Sequence, residues 1–470
     1  MNDTNSDNPA KKSLPIPNSL VFIFIFICIA TLMTWIIPAG TYSRTFDSAS
    51  GQNIVVADSF HYIAQNGITP ARMFQLIGSA FIEQAPIIFF IMFAYAYVDS
   101  LVRSGVFDGL FSLIFKYRLH KKKWIIPVIM ISFGLLGSVA GLAEETFGLF
   151  PVCISLALAL GYDRIVGGSM IYLAIFTGFA SATTNPFTIG VAQNIAQVPI
   201  FSGILYRIIC FIVFMTILIT YVMRYANKVL KDPTQSILYD DSDSVPTVYV
   251  TDYYQNNKPL TLSQKLNALL FLCVLSTTIV GSLKFGWYLT ELTALFLFAF
   301  ILSGIINKYS PNKMANEFIT SASGTTFSMI CVGFANAVAY ILNAGNIIDT
   351  ILHRMSILLN HTSGYVSGLL MLLLQNLLNF FVPAGPAQAA ISMPIMAPLA
   401  DLCGLSRQLA ILAFQFGDGY SNLFWPTMVC MMCGMMKIPI TKWYKYITPL
   451  FGLYFLAQVI MICIAIAIGY

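Results

Sequence analysis

Three carboxylates lie inside strongly apolar stretches. Glu144 and Glu145 sit in GSVAGLAEETFGLFP, and Asp418 sits in FGDGYSNLFWP. An ionisable side chain at membrane depth is costly, and such groups pair with one another, with a solute or with an ion. Neutral hydrogen-bonding residues accompany them at places where glycine and proline interrupt the apolar pattern. These are Thr146 beside the glutamates, Ser181, Thr184 and Asn185 in SATTNPF, Gln388 in PAGPAQA, and Ser421 with Asn422 in DGYSNLF. No Lys or Arg falls within 141–146, 181–187, 383–388 or 417–426. An acidic centre of this kind suits a cationic group on a solute, a coupling Na+ or H+, or both. The candidate substrate- and ion-binding set is therefore Glu144, Glu145, Thr146, Ser181, Thr184, Asn185, Gln388, Asp418, Ser421 and Asn422. Each has a plainer reading beside this one. A carboxylate can be a buried structural acid, and hydroxyls and amides also satisfy backbone freed at a break.

The elements that must position these residues occur twice. Residues 137–199 read GSVAGLAEETFGLFP, an apolar run ending LGYDR, then GFASATTNPF and AQVPI. Residues 382–440 read VPAGPAQAAISMP, an apolar run ending LCGLSR, then FGDGYSNLFWP and MKIPI. Pro151 falls opposite Pro394, Gly161 opposite Gly404 and Arg164 opposite Arg407 at one constant offset, which also places Gln388 opposite Glu145. Two similar halves with helix breakers inside apolar segments are the pattern of an internally repeated secondary transporter. Broken helices at mid-membrane present N-termini to anions and carbonyl ends to cations.

Composition sets the solvent. Of 470 residues 57% are hydrophobic and 10% charged, against about 25% charged in a soluble domain, and the mean hydropathy is +0.77. The chain reads as an integral membrane protein. Its net charge of +5 comes from basic residues in short loops, so no nucleic-acid partner is needed to explain it. The nine cysteines are scattered through apolar segments as small hydrophobes, and Cys430-x-x-Cys433 lacks a second pair or a nearby His, so no metal is expected. His61, His120, His353 and His361 fall in predicted loops or near helix ends, and no H-E-x-x-H or phosphate-binding G-x-x-x-x-G-K-[ST] loop occurs. With no nucleophile–base pair or metal cluster in sight, the chain is expected not to be an enzyme. No filter loop marks it as a channel.

Hydropathy and breakers predict an all-α polytopic protein in the following order. Residues 1–18 are a cytoplasmic tail, and 19–72 a first span with an external polar loop. Residues 73–224 are repeat one, with a re-entrant hairpin at 124–162 and a broken helix at 165–198; 225–264 are a cytoplasmic linker. Residues 265–313 are two connecting spans, and 314–470 are repeat two, with a hairpin at 364–403 and a broken helix at 408–436. A span from Met73 to Val102 is interrupted by Glu83, Pro86 and Asp99, and 105–115 is expected to lie along the interface. The first hairpin arm, 124–139, would reach about 24 Å, well into an apolar slab of roughly 30 Å. Nine full spans and two hairpins put the N-terminus in the cytoplasm and the basic clusters at 116–123, 224–231, 308–313 and 437–445 on one side. The repeats are then inverted.

The stretches GLAEETFGLFPVCISLALALGYDRIVG, TNPFTIGVAQNIAQVPIFSG and MPIMAPLADLCGLSRQLAILAFQFGDGYSNLFWPT resemble the YfcC-type carriers, in the DcuC-like branch of the ion transporter superfamily. The resemblance extends over nearly the whole chain. It implies a bacterial inner-membrane carrier with paired hairpins, working as a homodimer in which a transport domain moves by an elevator stroke against a scaffold. Members are described variously as C4-dicarboxylate carriers and as basic amino-acid or arginine/ornithine exchangers. Superfamily members that take dicarboxylates with sodium carry Ser-Asn-Thr at their hairpin tips, where this chain has AEET and PAQA. The expected activity is therefore secondary active transport of a small metabolite, with a basic amino acid, exchanged or ion-coupled, ahead of a C4-dicarboxylate. No cofactor is expected beyond a coupling Na+ or H+.

Overall fold

The apolar runs fold as helices, because a backbone away from water must satisfy its N–H and C=O groups within its own segment. The structure, a computed structural model, describes residues 19–47, 52–107, 124–239, 260–359 and 364–470. The expected tail, most of the interfacial helix at 105–115, the basic cluster 116–123 and the middle of the linker lie outside the described residues.

The chain opens with α1 (Ser19–Ile36). Four short strands follow within the stretch 39–72, expected as a polar loop, while the rest of the described fold is helical. They are β1 (Gly40–Thr41), β2 (Arg44–Asp47), β3 (Gln52–Val55) and β4 (His61–Tyr62), and β1 pairs antiparallel with β4 and β2 with β3. Runs of two to four residues are shorter than any alternation that hydropathy resolves. Tertiary contacts hold them instead.

The expected span from Met73 is two helices, α2 (Pro70–Glu83) and α3 (Ala85–Arg103). Thr69 caps the first by accepting from the Arg72 N–H, Pro70 stands at its first turn, and the chain breaks at Gln84 (φ −87°, ψ 4°). Next come α4 (Ile125–Ala140), a 3-10 turn at Glu144–Leu149, α5 (Phe150–Ala159) and α6 (Arg164–Ala180). Gly141 ends α4 with φ +70°, a left-handed turn that only a residue without Cβ takes freely. After Asn185 a π turn at Pro186–Gly190 leads into α7 (Val191–Ile195).

Helix α8 (Ile204–Lys231) runs into the expected linker, whose beginning is anchored. Ser236 Oγ and the Tyr225 hydroxyl both donate to Asp163 Oδ2, at 2.6 and 2.5 Å, and Leu238 is buried. Then follow α9 (Leu262–Phe285), α10 (Leu289–Ile306), α11 (Pro311–Ala344), α12 (Ile348–Leu359), α13 (Tyr365–Phe381) and α14 (Gly385–Leu402). The last three are α15 (Arg407–Ser421), α16 (Pro426–Met436) and α17 (Ile440–Ala467). The second break is narrower than the sequence suggests. Gly417, Asp418 and Gly419 are still helical, and the chain leaves the helix only between Asn422 and Trp425.

Six described helices, α3, α8, α9, α10, α11 and α17, are long and apolar enough to cross a bilayer, and α1, α4, α6, α13 and α16 are shorter apolar helices. The protein is a mostly helical, multi-pass membrane protein. At its centre α15 crosses α6 where a Cβ on Gly419 would stand 2.2 Å from Ala180 Cα. Helix α4 meets α6 at Gly134 and Gly178, and α13 meets α15 at Gln375 and Gly417. These close approaches bring the two chain breaks together.

Reciprocal details recur at the outer ends. Gly161 and Gly404 both have positive φ, as do Gln197 and Lys437. Asp163 caps α6 through the Val166 N–H, and Ser406 caps α15 through the Leu409 N–H. Arg164 donates to the carbonyl of Lys437 (3.4 Å), and Arg407 donates to the carbonyl of Ala196 (2.9 Å).

Candidate substrate site

A cavity of about 410 Å³ opens where the turn after α4, the first turn of α14 and the end of α15 meet. Glu144 and Glu145 reach it from the turn after α4, Asp418 and Asn422 from the end of α15, and Gly385 to Ala387 from the first turn of α14. Phe176, Phe179, Phe187 and Tyr288 supply its aromatic wall. Among the described residues lining it there is no Lys, Arg or His.

The acidic residues are held differently. Glu145 folds back on its own turn, its Oε2 accepting from the Ala143 N–H at 2.9 Å, and is nearly buried. Glu144, half-buried, leads the 3-10 turn. Asp418 is fully buried in α15. Its Oδ1 accepts from Asn379 Nδ2 at 3.1 Å, while its Oδ2 has no partner among the described residues. The Asn422 amide is oriented by its Nδ2, which donates to the Asp418 carbonyl at 2.9 Å, and its Oδ1 also has no partner among the described residues. Two buried acceptors thus stand without donors beside one cavity, where an unmade hydrogen bond costs roughly 1–3 kcal/mol.

The other six candidates do not line the cavity. Gln388 and Ser421 belong to a buried network beneath it. Asn379 Nδ2 donates to Gln388 Oε1 (3.2 Å), Ser421 Oγ donates to Asn379 Oδ1 (2.7 Å), and Gln388 Nε2 donates to Gln375 Oε1 (2.8 Å). Thr146 Oγ1 donates to the Ala143 carbonyl and closes the glutamate turn. Ser181 Oγ donates back to the Thr177 carbonyl, and Thr184 Oγ1 to the carbonyl of Val139 at the end of α4. Asn185 caps the chain after the first break, its Oδ1 accepting from the N–H groups of Phe187 and Thr188. It also touches the first tip, since a Cβ on Gly141 would lie 2.3 Å from Asn185 Oδ1.

Sequence reasoning passed over Gln375, Asn376, Asn379 and Tyr288. The first three are legible in hindsight, as Gln-Asn-x-x-Asn inside LLLQNLLNFFVP puts carboxamides one turn apart on one helix face. Tyr288 precedes α10, in an element that carried no chemical motif.

The family model for DcuC, the C4-dicarboxylate anaerobic carriers, matches residues 16–467. The chain belongs to this family. It is 29% identical over 493 residues to the Escherichia coli protein "Putative basic amino acid antiporter YfcC", covering 97% of each chain. It is 28% identical over 504 residues to an uncharacterised Haemophilus influenzae protein, covering 97% of this chain and 98% of that one. Among solved structures, Neisseria gonorrhoeae MtrF aligns with a TM-score of 0.44 at 15% identity over 97% of both chains. The Alcanivorax borkumensis YdaH transporter aligns at 0.43 and 14% identity, over 97% of this chain and 99% of that one. The chain thus belongs to a membrane-transporter family, and its structure holds an acidic, partly aromatic cavity.

Proposed function

We propose that this protein is a secondary active transporter of the bacterial inner membrane whose preferred solute is a basic amino acid, exchanged or coupled to Na+ or H+. The carrying observation is the pair of buried acceptors without donors among the described residues, Asp418 Oδ2 and Asn422 Oδ1, on a cavity whose described lining also holds Glu144 and Glu145 and no cationic residue. A solute rich in N–H donors satisfies them. Its carboxylate goes to the first turn of α14, where the N–H groups of an 18-residue helix attract an anion. The related Escherichia coli protein's name favours the same solute class.

The alternating-access reading follows from the two halves. The matched caps, matched positive-φ residues and crossed arginine contacts at the outer ends support an internal repeat, whose halves are inverted in this reading. In this reading the two hairpins and broken helices form a transport unit that moves by an elevator stroke against the remaining helices of a homodimer. The N-terminus lies in the cytoplasm.

A second reading is a C4-dicarboxylate carrier, favoured by the family's description and by the helix N-terminus on the cavity wall. There the acids would bind Na+ or H+ and the helix end the solute. Thermal stabilisation of the purified protein separates the two, since a ligand of the folded state raises apparent stability by mass action. Arginine, ornithine and lysine are expected to stabilise the wild type and to lose that effect in Asp418→Asn. Stabilisation by succinate, fumarate or malate that survives Asp418→Asn would overturn the basic amino-acid reading.

A further inference from the structure

A second chamber of about 280 Å³ adjoins the acidic cavity. The two share Glu144, Tyr288, Pro383, Ala384 and Met428, and these five residues mark the boundary, or neck, between them. Beyond the neck the polar groups are Gln84, Asn336 and Thr427. Gln84 is the residue at which the chain breaks between α2 and α3, Asn336 lies on α11, and Thr427 opens α16. None belongs to the hairpin tips. The Thr427 hydroxyl is buried without a hydrogen-bond partner among the described residues, and such a group beside a cavity calls for one.

We propose that this chamber is a distal subsite that takes the side-chain end of an elongated α-amino acid. This rests on the basic amino-acid reading above and deepens it. The α-ammonium sits with Asp418 and Asn422 and the α-carboxylate at the first turn of α14. The side chain passes the neck under the ring of Tyr288. Glu144 lines both chambers and faces the side-chain cation from the neck, and an aromatic face beside a cation adds attraction. The carboxamide oxygens of Gln84 and Asn336 and the Thr427 oxygen accept the remaining N–H donors, as two amides and a hydroxyl can. A short side chain stops at the neck, so the arrangement selects for length. The two chambers also lie against different helices: the turns and breaks build most of the first, while Gln84, α3, α11 and α16 add walls to the second.

The test is a titration of the full-length purified protein by calorimetry with diaminopropionate, diaminobutyrate, ornithine and lysine, which differ only in methylene count. Wild-type affinity is expected to rise along the series by about tenfold or more, the scale on which a pocket discriminates a methylene. In Asn336→Leu and Gln84→Leu, ornithine and lysine are expected to weaken by at least about tenfold, while diaminopropionate changes by less than about twofold. Thr427→Val, nearly isosteric, removes only the hydroxyl and is expected to weaken the two long members alone. Melting of each variant without ligand reports whether it folds. Equal wild-type affinity along the series, or variants that weaken every member alike, would overturn the distal subsite while leaving the acidic cavity standing. Binding of no member would remove the basic amino-acid reading and the subsite with it.

Discussion

Gly385 stands against Asp418 so closely that a Cβ built on it would lie 2.8 Å from Asp418 Oδ2 and 2.6 Å from Thr188 Cγ2. The second tip therefore touches both broken segments at once. Gly385→Ala is expected to push α14 off the aspartate, destabilising the protein by about 1–3 kcal/mol as overpacking does and abolishing ligand-induced stabilisation. Gly78→Ala is the control, since a Cβ there meets nothing within 4 Å and a helical Gly-to-Ala change gains roughly 0.5–1 kcal/mol. Thermal melts of the two variants, with and without arginine, check the contrast.

Asn379 joins Asp418, Gln388 and Ser421 in one buried network. Asn379→Leu is expected to cost about 1–3 kcal/mol, the penalty for leaving buried polar groups unmatched. It should also weaken arginine binding, because Asp418 Oδ1 loses its donor and the carboxylate its orientation. Ser421→Ala, which removes the hydroxyl's contacts to Asn379 Oδ1 and the Gly417 carbonyl and leaves the Asn379–Asp418 contact intact, is expected to do less. Equal effects from the two would mean that the network is support for α15 and does not orient the aspartate.

How much of this could be read from sequence varies by element. The turns and chain breaks were legible because glycine, proline and carboxylates stand out inside apolar runs, as in AGLAEET and SATTNPF. Placing Asp418 inside the second break was wrong by one helical turn, since Gly417 and Gly419 look like breakers but serve close helix crossing. Asn379 was missed because polar residues spaced along a helix face carry no breaker beside them. Tyr288 and Gln84 were beyond sequence reasoning, as their roles depend on which distant helix each one meets.

The short strands are strapped to α12. Asp349 accepts from the Tyr42 N–H at 2.9 Å and pairs with Arg44 at 2.8 Å. Asp349→Ala is expected to lower stability by about 1–3 kcal/mol, chiefly by leaving the Tyr42 N–H without its acceptor. Limited proteolysis should then cut between residues 40 and 62. Resistance of this segment in the variant would show that the ion pair is not what holds it.

His353 stacks on Phe60 with ring centroids 3.9 Å apart, and its Nδ1 lies 3.3 Å from the Tyr42 hydroxyl. Burial, with Arg354 nearby, holds the imidazole below its ordinary value of 6.5. The unfolded chain therefore takes up the proton first as pH falls. Stability from this group is present above about pH 6.5 and is lost as pH falls through the lower folded-state value. The melting temperature is expected to drop on acidification through this window, and His353→Gln is expected to flatten that part of the profile. An unchanged profile in the variant would assign the pH dependence elsewhere.

The central claim is that the acidic cavity carries a cationic solute, and counterflow in proteoliposomes tests it most directly. Vesicles preloaded with unlabelled arginine are expected to accumulate labelled arginine transiently and saturably. Lysine and ornithine should compete, succinate should not, and Asp418→Asn should abolish the uptake. Counterflow of labelled succinate in succinate-loaded vesicles, with arginine neither exchanged nor competing, would contradict the account.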